Sequence, residues 1–240
     1  MRNAFVLLAM LPCVALAQGE APRALDCLVE PSLEVKLGSP ADGVIAQMLV
    51  ERGDSIRRGQ PLVRLNSQLE AAAVDSARGK AEFARRKAAR NDELYEKQLI
   101  SVQERDQLET EARLAELELR EREEALKLRT IVSPIDGVVV DRLMAPGDQV
   151  ARAGSQILRL MQLDPLYVEV VAPSTLLGRI RPGAHARVTP QGGKAHSARV
   201  LVVDRVVDAA SGTFRVRLEL RNPGYAIPAG LRCRVQGLGD

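Results

Sequence analysis

The stretch that decides the fold occurs twice: PADGVIAQMLVERGDSIRRGQPLVRL from Pro40 to Leu65, and PIDGVVVDRLMAPGDQVARAGSQILRL from Pro134 to Leu160. Pro40 answers to Pro134, Asp42-Gly43 to Asp136-Gly137, Val44 to Val138, Leu49 to Leu143 and Gly53-Asp54 to Gly147-Asp148. The register continues through Ile56 with Val150, Gly59 with Gly154 and Leu65 with Leu160, the second copy holding one extra residue before its last glycine. An internal repeat is read before local propensity because it sets the architecture. Each copy punctuates short β-branched runs with Asp-Gly, Gly-Asp and a third glycine, the pattern of a tight meander of short strands. Glycine suits such turns because it adopts positive φ without steric cost. One copy is too small to bury both faces of its strands, so the two are expected to pack face to face.

Between the copies, Ser67 to Thr130 changes to Ala, Leu, Glu, Arg and Gln, with no proline and a single glycine, Gly79. That composition predicts helix. Val74, Ala77, Ala81, Ala84 and Ala88 recur at spacings of three and four on the ascending limb. Leu108, Ala112, Ala115, Leu119 and Leu126 form the descending seam, with Arg122 at an intervening core position. Two antiparallel helices of about 40 Å each are expected, joined by a turn within YEKQLISVQ. There Ser101 caps the second helix, with Glu104 placed to complete a capping box. Gly79 costs the first helix roughly 1 kcal/mol relative to alanine. Charge pairs one turn apart, Glu82 with Arg86 and Glu118 with Arg122, each add a few tenths of a kcal/mol and keep the surface soluble.

After Asp164-Pro165 the pattern returns to strands: LYVEVV, HARV, ARVLVV, TFRVRLEL and LRCRV. Ser174 to Ile180 is expected as a short helix, and the whole as a compact β-barrel. LEVKLGS, just before Pro40, is expected to add an early strand to that barrel.

Each copy of the repeat resembles half of a biotinyl/lipoyl carrier domain. Two such halves around a long helical insert resemble the membrane fusion protein (HlyD-like) family, the periplasmic adaptors of tripartite efflux systems, here of the RND type. The resemblance runs from about Leu33 to Gly237 and includes Asn222-Pro223 and the closing Pro228-Ala229-Gly230. It implies a mixed α+β, elongated, multi-module fold: a lipoyl-like β-sandwich made of two halves, an inserted antiparallel coiled-coil hairpin and a C-terminal β-barrel. The expected divisions are 1–17 signal peptide, 18–38 N-terminal segment with a barrel strand, 39–66 first lipoyl half, 67–130 hairpin, 131–162 second lipoyl half and 163–240 barrel. Neither half carries the Met-Lys-Met or Asp-Lys-Ala tripeptide of a modified carrier lysine, so a lipoyl or biotinyl carrier subunit is the weaker reading and no cofactor is expected.

Arg90, Leu94 and Ser101 fit the spacing Arg-x3-Leu-x6-Ser that adaptors of this family carry at the hairpin tip. The resemblance implies that these three dock onto a TolC-type outer-membrane channel, that the chains associate into a hexameric ring, and that the partner on the other side is an inner-membrane efflux transporter. An ABC-type or type I secretion exporter is the alternative pump class. Many adaptors continue into a membrane-proximal domain, whereas the sequence stops at Asp240 soon after its last barrel strand. A pump contact through the barrel is therefore expected.

At the N-terminus, Arg2 precedes an apolar run from Ala4 to Ala17 that ends in Ala15-Leu16-Ala17. This is the layout of a cleavable secretory signal, shorter than the roughly 18 apolar residues of a spanning helix. Cys13 follows Pro12 inside the run, where lipidation would want small residues, so no lipid anchor is expected. Export to the periplasm leaves Cys27 and Cys233 where disulfides are permitted. They form a bridge if the two ends of the chain meet in one β domain, and otherwise stay as two buried thiols. The formal charge of +3, falling to +2 without Arg2, gives no nucleic-acid footprint. His185 and His196 sit in separate expected strands without a ligand partner at short spacing, and Met48, Met144 and Met161 form no cluster. No phosphate loop, nucleophile elbow or paired carboxylates stand out. Enzymatic function is not expected.

Overall fold

The computed structural model describes residues 24–152 and 154–239. The signal segment 1–17 with Cys13 lies outside the described residues. The first half of the chain runs through strands β1 (Leu25–Gly38), β2 (Gly43–Met48), β3 (Ser55–Ile56) and β4 (Pro61–Leu65) into helices α1 (Gln68–Glu96) and α2 (Val102–Lys127). It continues as β5 (Thr130–Val132), β6 (Gly137–Arg142), β7 (Gln149–Val150), β8 (Gln156–Pro173), β9 (His185–Pro190), β10 (His196–Val203), β11 (Thr213–Leu220) and β12 (Arg232–Gln236). Contacts divide the described residues into two units, one comprising Val29–Tyr167 with Leu220–Gly230, the other 24–28, Val168–Glu219 and 231–239.

In the first of these units the two copies of the repeat trade strands. β7 of the second copy pairs with β2 of the first, Gly43 opposite Val150 and Val44 opposite Gln149. β3 of the first pairs with β6 of the second, Ile56 opposite Gly137 and Ser55 opposite Val138. Single backbone bonds repeat the exchange. Ile45 N–H donates to the Asp148 carbonyl at 2.9 Å and receives Gly147 N–H at 2.8 Å, while Val139 N–H donates to the Asp54 carbonyl at 3.0 Å and receives Gly53 N–H at 2.8 Å. The paired aspartates of the repeat do turn work. Asp54 and Asp148 each accept from a backbone N–H three residues earlier, Glu51 at 2.8 Å and Ala145 at 2.7 Å. Asp136 accepts from Arg58 N–H at 2.9 Å and Asp42 from Arg152 N–H at 2.6 Å, so each copy also caps a turn of the other. Gly53 and Gly147 both have φ 95°, which a side chain rarely tolerates. At Gly137 a Cβ would stand 2.2 Å from the Met161 carbonyl oxygen, so only glycine lets β6 approach β8.

This weave closes over one core. Ile45, Ile56, Leu62, Val63 and Leu65 of the first copy meet Val139, Val150, Ile157, Leu158 and Leu160 of the second. Val35 and Leu37 of β1 pack against the same cluster. LEVKLGS therefore serves this unit and not the barrel. The β1 residues that join β12 are the earlier ones, Leu25 to Leu28. A second anchor is Asn222, 1 % exposed. Its amide donates to the carbonyls of Leu163 and Ile227, both at 2.9 Å, and its oxygen accepts Ile227 N–H at 2.8 Å. Asn222 N–H reaches Asp164 Oδ1 at 2.9 Å.

α1 and α2 lie side by side and antiparallel, because the cross-helix ion pairs descend one helix as they climb the other: Arg78 with Glu123 at 3.8 Å, Lys80 with Glu118 at 3.4 Å and Lys87 with Glu111 at 3.3 Å. Val74, Ala77, Ala81, Leu108 and Ala112 are buried on the seam. Arg122 is exposed instead of occupying a core position. A guanidinium gains nothing from a narrow alanine seam when solvent is one rotamer away. Glu118 bonds across to Lys80, while Glu82 keeps its helical partner Arg86 at 3.7 Å. At the base, Leu65 N–H donates to the Arg129 carbonyl at 2.8 Å. The Arg129 guanidinium reaches the Asp42 carbonyl and Glu70 Oε1, the latter at 2.5 Å.

In the other unit, neighbouring strands pair antiparallel in the order β1, β12, β9, β10, β11. Alternation buries Val168, Val170, Ala186, Val188, Val216 and Leu218. The expected helix from Ser174 to Ile180 is only a single 3-10 turn, Ser174–Leu176. Gly178, at φ 83°, and Pro182 break the helical pattern. Cys27 stands opposite Cys233 in the β1–β12 ladder with Cα atoms 4.8 Å apart, and the two sulfurs are joined. Of the two arrangements open from sequence, this is the one in which the chain ends meet.

Two outcomes follow from this packing. A Cβ added at Gly79 would meet nothing within 4 Å, so Gly79→Ala should raise stability by about 1 kcal/mol in urea unfolding through helix propensity alone. Asn222→Ala strips partners from two carbonyls and one N–H in a buried site, and should cost roughly 3 kcal/mol in the same measurement.

Candidate functional site

The sequence places its candidate residues at the turn between α1 and α2, and the local backbone explains the turn's shape. α1 ends in a Schellman arrangement: Leu99 N–H donates to the Leu94 carbonyl at 2.9 Å and Gln98 N–H to the Tyr95 carbonyl at 2.8 Å. Gln98 takes the left-handed position, φ 60°, that glycine usually fills. A side chain there costs about 1 kcal/mol. Three residues later Ser101, extended at φ −77° and ψ 157°, starts α2, its Oγ accepting Glu104 N–H at 3.1 Å.

Arg90 is exposed one helical turn before Leu94, which is 37 % exposed although it is apolar. Ser101 is exposed across the turn. All three sit at the same end of the helix pair. The Leu94 carbonyl closes the end of α1 and the Ser101 hydroxyl opens α2, so both are framework as well as surface. Leu99 and Val102, 66 % and 50 % exposed, extend the apolar surface around Leu94.

What sequence reasoning missed is the tie beneath this turn. The Arg105 guanidinium lies over the Tyr95 ring, 4.5 Å from its centroid. Its Nη2 bonds Asp106 at 3.2 Å, and that bond is the main reason its pKa is raised from the ordinary arginine value. Arg105 N–H also donates to the Ser101 carbonyl at 3.2 Å. Arg105 thus touches the end of α1 through Tyr95 and the start of α2 through Ser101. The signal was available: positions 95 and 105 are nearly as symmetric about the turn as the ion-paired rows below them. On the next row Glu111 has its pKa lowered by hydrogen bonds, first from Gln107 and then from Lys87.

The remaining candidates lie elsewhere. Cys27 and Cys233 belong to the unit with β9 to β12. His185 and His196 open neighbouring strands of that unit and line one depression on it. Among the described residues no three His, Cys, Asp or Glu side chains are grouped as metal ligands. Among them, too, no helix is long and apolar enough to cross a membrane.

Two interlocked half-motifs with a helix pair inserted between them make a barrel-sandwich hybrid. The chain belongs to the CzcB-like barrel-sandwich hybrid family, whose model matches residues 34–160. It is 23 % identical over 206 residues to the antibiotic efflux pump periplasmic linker protein ArpA of Pseudomonas putida, covering 79 % of this chain and 56 % of that one. It is 26 % identical over 250 residues to the membrane fusion protein MtrC of Neisseria gonorrhoeae, covering 90 % and 58 %. The chain spans about half the length of the curated relatives it matches. In fold it is similar to a MacA-MexA chimeric protein containing the Pseudomonas aeruginosa MexA α-hairpin domain, at a TM-score of 0.77 and 17 % identity over 91 % of this chain and 81 % of that one.

Replacing Arg105 with alanine should loosen the turn locally. Amide exchange at Gln98 and Leu99 should quicken roughly two- to fivefold, the value of a surface cation–π contact, with Arg105→Lys intermediate and exchange at Ala81 and Ala112 unchanged.

Proposed function

We propose that the chain is a periplasmic adaptor linking an inner-membrane efflux pump to a TolC-type outer-membrane duct, for export of small molecules. The observation that carries this reading is the turn itself: Arg90, Leu94 and Ser101 share the free end of a helix pair whose base is clamped into a woven β frame. Arg90 supplies hydrogen-bond donors for carbonyls or carboxylates on the duct. Leu94 supplies an apolar knob for a notch between its helices, and Ser101 a hydroxyl at the edge of the contact. The relatives' description as periplasmic linkers and membrane fusion proteins of efflux pumps supports the same assignment.

In this reading the helix pair acts as a coiled-coil hairpin, the woven frames of neighbouring copies associate laterally into a hexameric ring, and the unit with β9 to β12 forms a barrel facing the pump. The N-terminal segment directs export and is removed after Ala17. The pump is of the RND type. The conduit is sealed by assembly, with no bond made or broken by this chain.

Leu94→Asp, or Ser101→Trp, should abolish complementation of an efflux-deficient strain while the periplasmic level of the protein stays normal. Unchanged resistance at normal abundance would show that the turn is not the docking surface. Crosslinking in cells, followed by identification of the inner-membrane partner, should recover an RND transporter, and recovery of an ABC transporter would overturn that pump class.

A further inference from the structure

Charge is divided unevenly between the two units. The unit with β9 to β12 carries ten Lys and Arg against five Asp and Glu among its described residues, while the other carries twenty-two against twenty-four. Part of this excess lies on one sheet face. Alternation buries Ala186 and Val188 on β9 and Cys233 and Val235 on β12, which turns Arg187, Arg232 and Arg234 outward. The ladder places Gln236 and Ser197 on either side of Arg187, and Asp26 and Thr189 on either side of Arg234. Arg232 faces Leu28, an exposed apolar residue.

Three other arginines of this unit are ion-paired: Arg199 with Glu219 at 3.8 Å, Arg215 with Asp204 at 3.3 Å and Arg217 with Glu169. Arg187, Arg232 and Arg234 have no ion pair among the described residues. A strand spacing of about 4.8 Å and a rise of about 3.4 Å per residue put Arg234 about 7–8 Å at the backbone from both Arg232 and Arg187, which are themselves about 14 Å apart, so Arg234 lies about one Debye length of about 8 Å from each of the others. Two depressions open along the same strands. One, of about 470 Å³, is lined by His185, Arg187, His196, Ser197 and Gln236, and the other, of about 430 Å³, by Asp26, Thr189, Gly192, Gly193, Arg232 and Arg234. Guanidinium groups beside polar donors are suited to anionic oxygens. Asp26 stands across the ladder from Arg234 without an ion pair between them, and none of the three arginines is held by a carboxylate as Arg199, Arg215 and Arg217 are, so their long stems can follow an array of anions whose positions are not fixed.

We propose that this face binds the phosphate surface of an anionic bilayer, independently of the docking residues between α1 and α2. Each arginine near such a surface contributes roughly fivefold in partitioning, and three together roughly a hundredfold. The test is cosedimentation of the purified full chain with phosphatidylglycerol-containing vesicles, against vesicles of phosphatidylcholine alone and against soluble polyglutamate.

Binding to the anionic vesicles only, weakened by salt, is expected. The variant with Arg187, Arg232 and Arg234 all replaced by serine should lose about a hundredfold, with an unchanged circular dichroism spectrum. A matched variant with Arg85, Arg120 and Arg122 replaced by serine removes the same charge from the helices and should bind as the parent does. Equal loss in both variants would reduce the effect to net charge and overturn the proposal. So would equal binding to both kinds of vesicle, no loss in the first variant, or binding to polyglutamate without binding to vesicles, which would mark the face as a site for an acidic protein.

Discussion

Everything in the unit that carries the helices depends on the exchange of backbone hydrogen bonds between the two copies of the repeat. Ile45 is held by Gly147 and Asp148, and Val139 by Gly53 and Asp54. Neither copy satisfies its own strand edges or fills its own core, so neither is stable without the other. The chain that leaves the first copy at Leu65 must therefore come back to its starting point. The bond from Leu65 N–H to the Arg129 carbonyl is that return, and Arg129 fixes it further by reaching both Asp42 and Glu70. An insert with its ends tied together and no helix breaker inside can only go out and come back, which is why α1 and α2 are antiparallel and of similar length, 29 and 26 residues.

Along the helices themselves the forces are weak. Three of the five buried seam residues are alanines, and the cross-helix ion pairs are between groups a third or more exposed, where each is worth well under 1 kcal/mol. The register between the helices is thus set chiefly at the two ends, by the Arg129 clamp at the base and by Arg105 over Tyr95 at the turn. A glycine at position 79 is tolerated by a helix pair held in this way. The turn gains its shape from backbone bonds, which leaves Leu94, Leu99 and Val102 facing outward with no intramolecular role for their side chains that would hide them.

The same logic of ends meeting governs the other unit. Four residues of β1 pair with β12, and the Cys27–Cys233 bridge joins strands separated by 206 positions in sequence. These strands also carry Leu28, Arg232 and Arg234, so the covalent tie and part of the cationic face lie on the same pair of strands.

By itself the sequence determined the parts that are local or repetitive. The doubled Asp-Gly and Gly-Asp frame announced the woven core, composition and spacing announced the helices, and Ser101 was legible as a cap. These features depend on side-chain periodicity and on turn chemistry within a few residues. Only the tertiary structure decided which strand each copy lends to the other, that Val35 and Leu37 serve the woven core while Leu25 to Leu28 serve β12, that Arg122 faces solvent, and that Gln98 takes a position normally given to glycine. Each of these turns on pairing partners remote in sequence or on packing against them, and hydrophobic alternation looks the same whichever sheet a strand joins. Backbone hydrogen bonds carry no sequence label, so their register becomes visible only when both partners are in place.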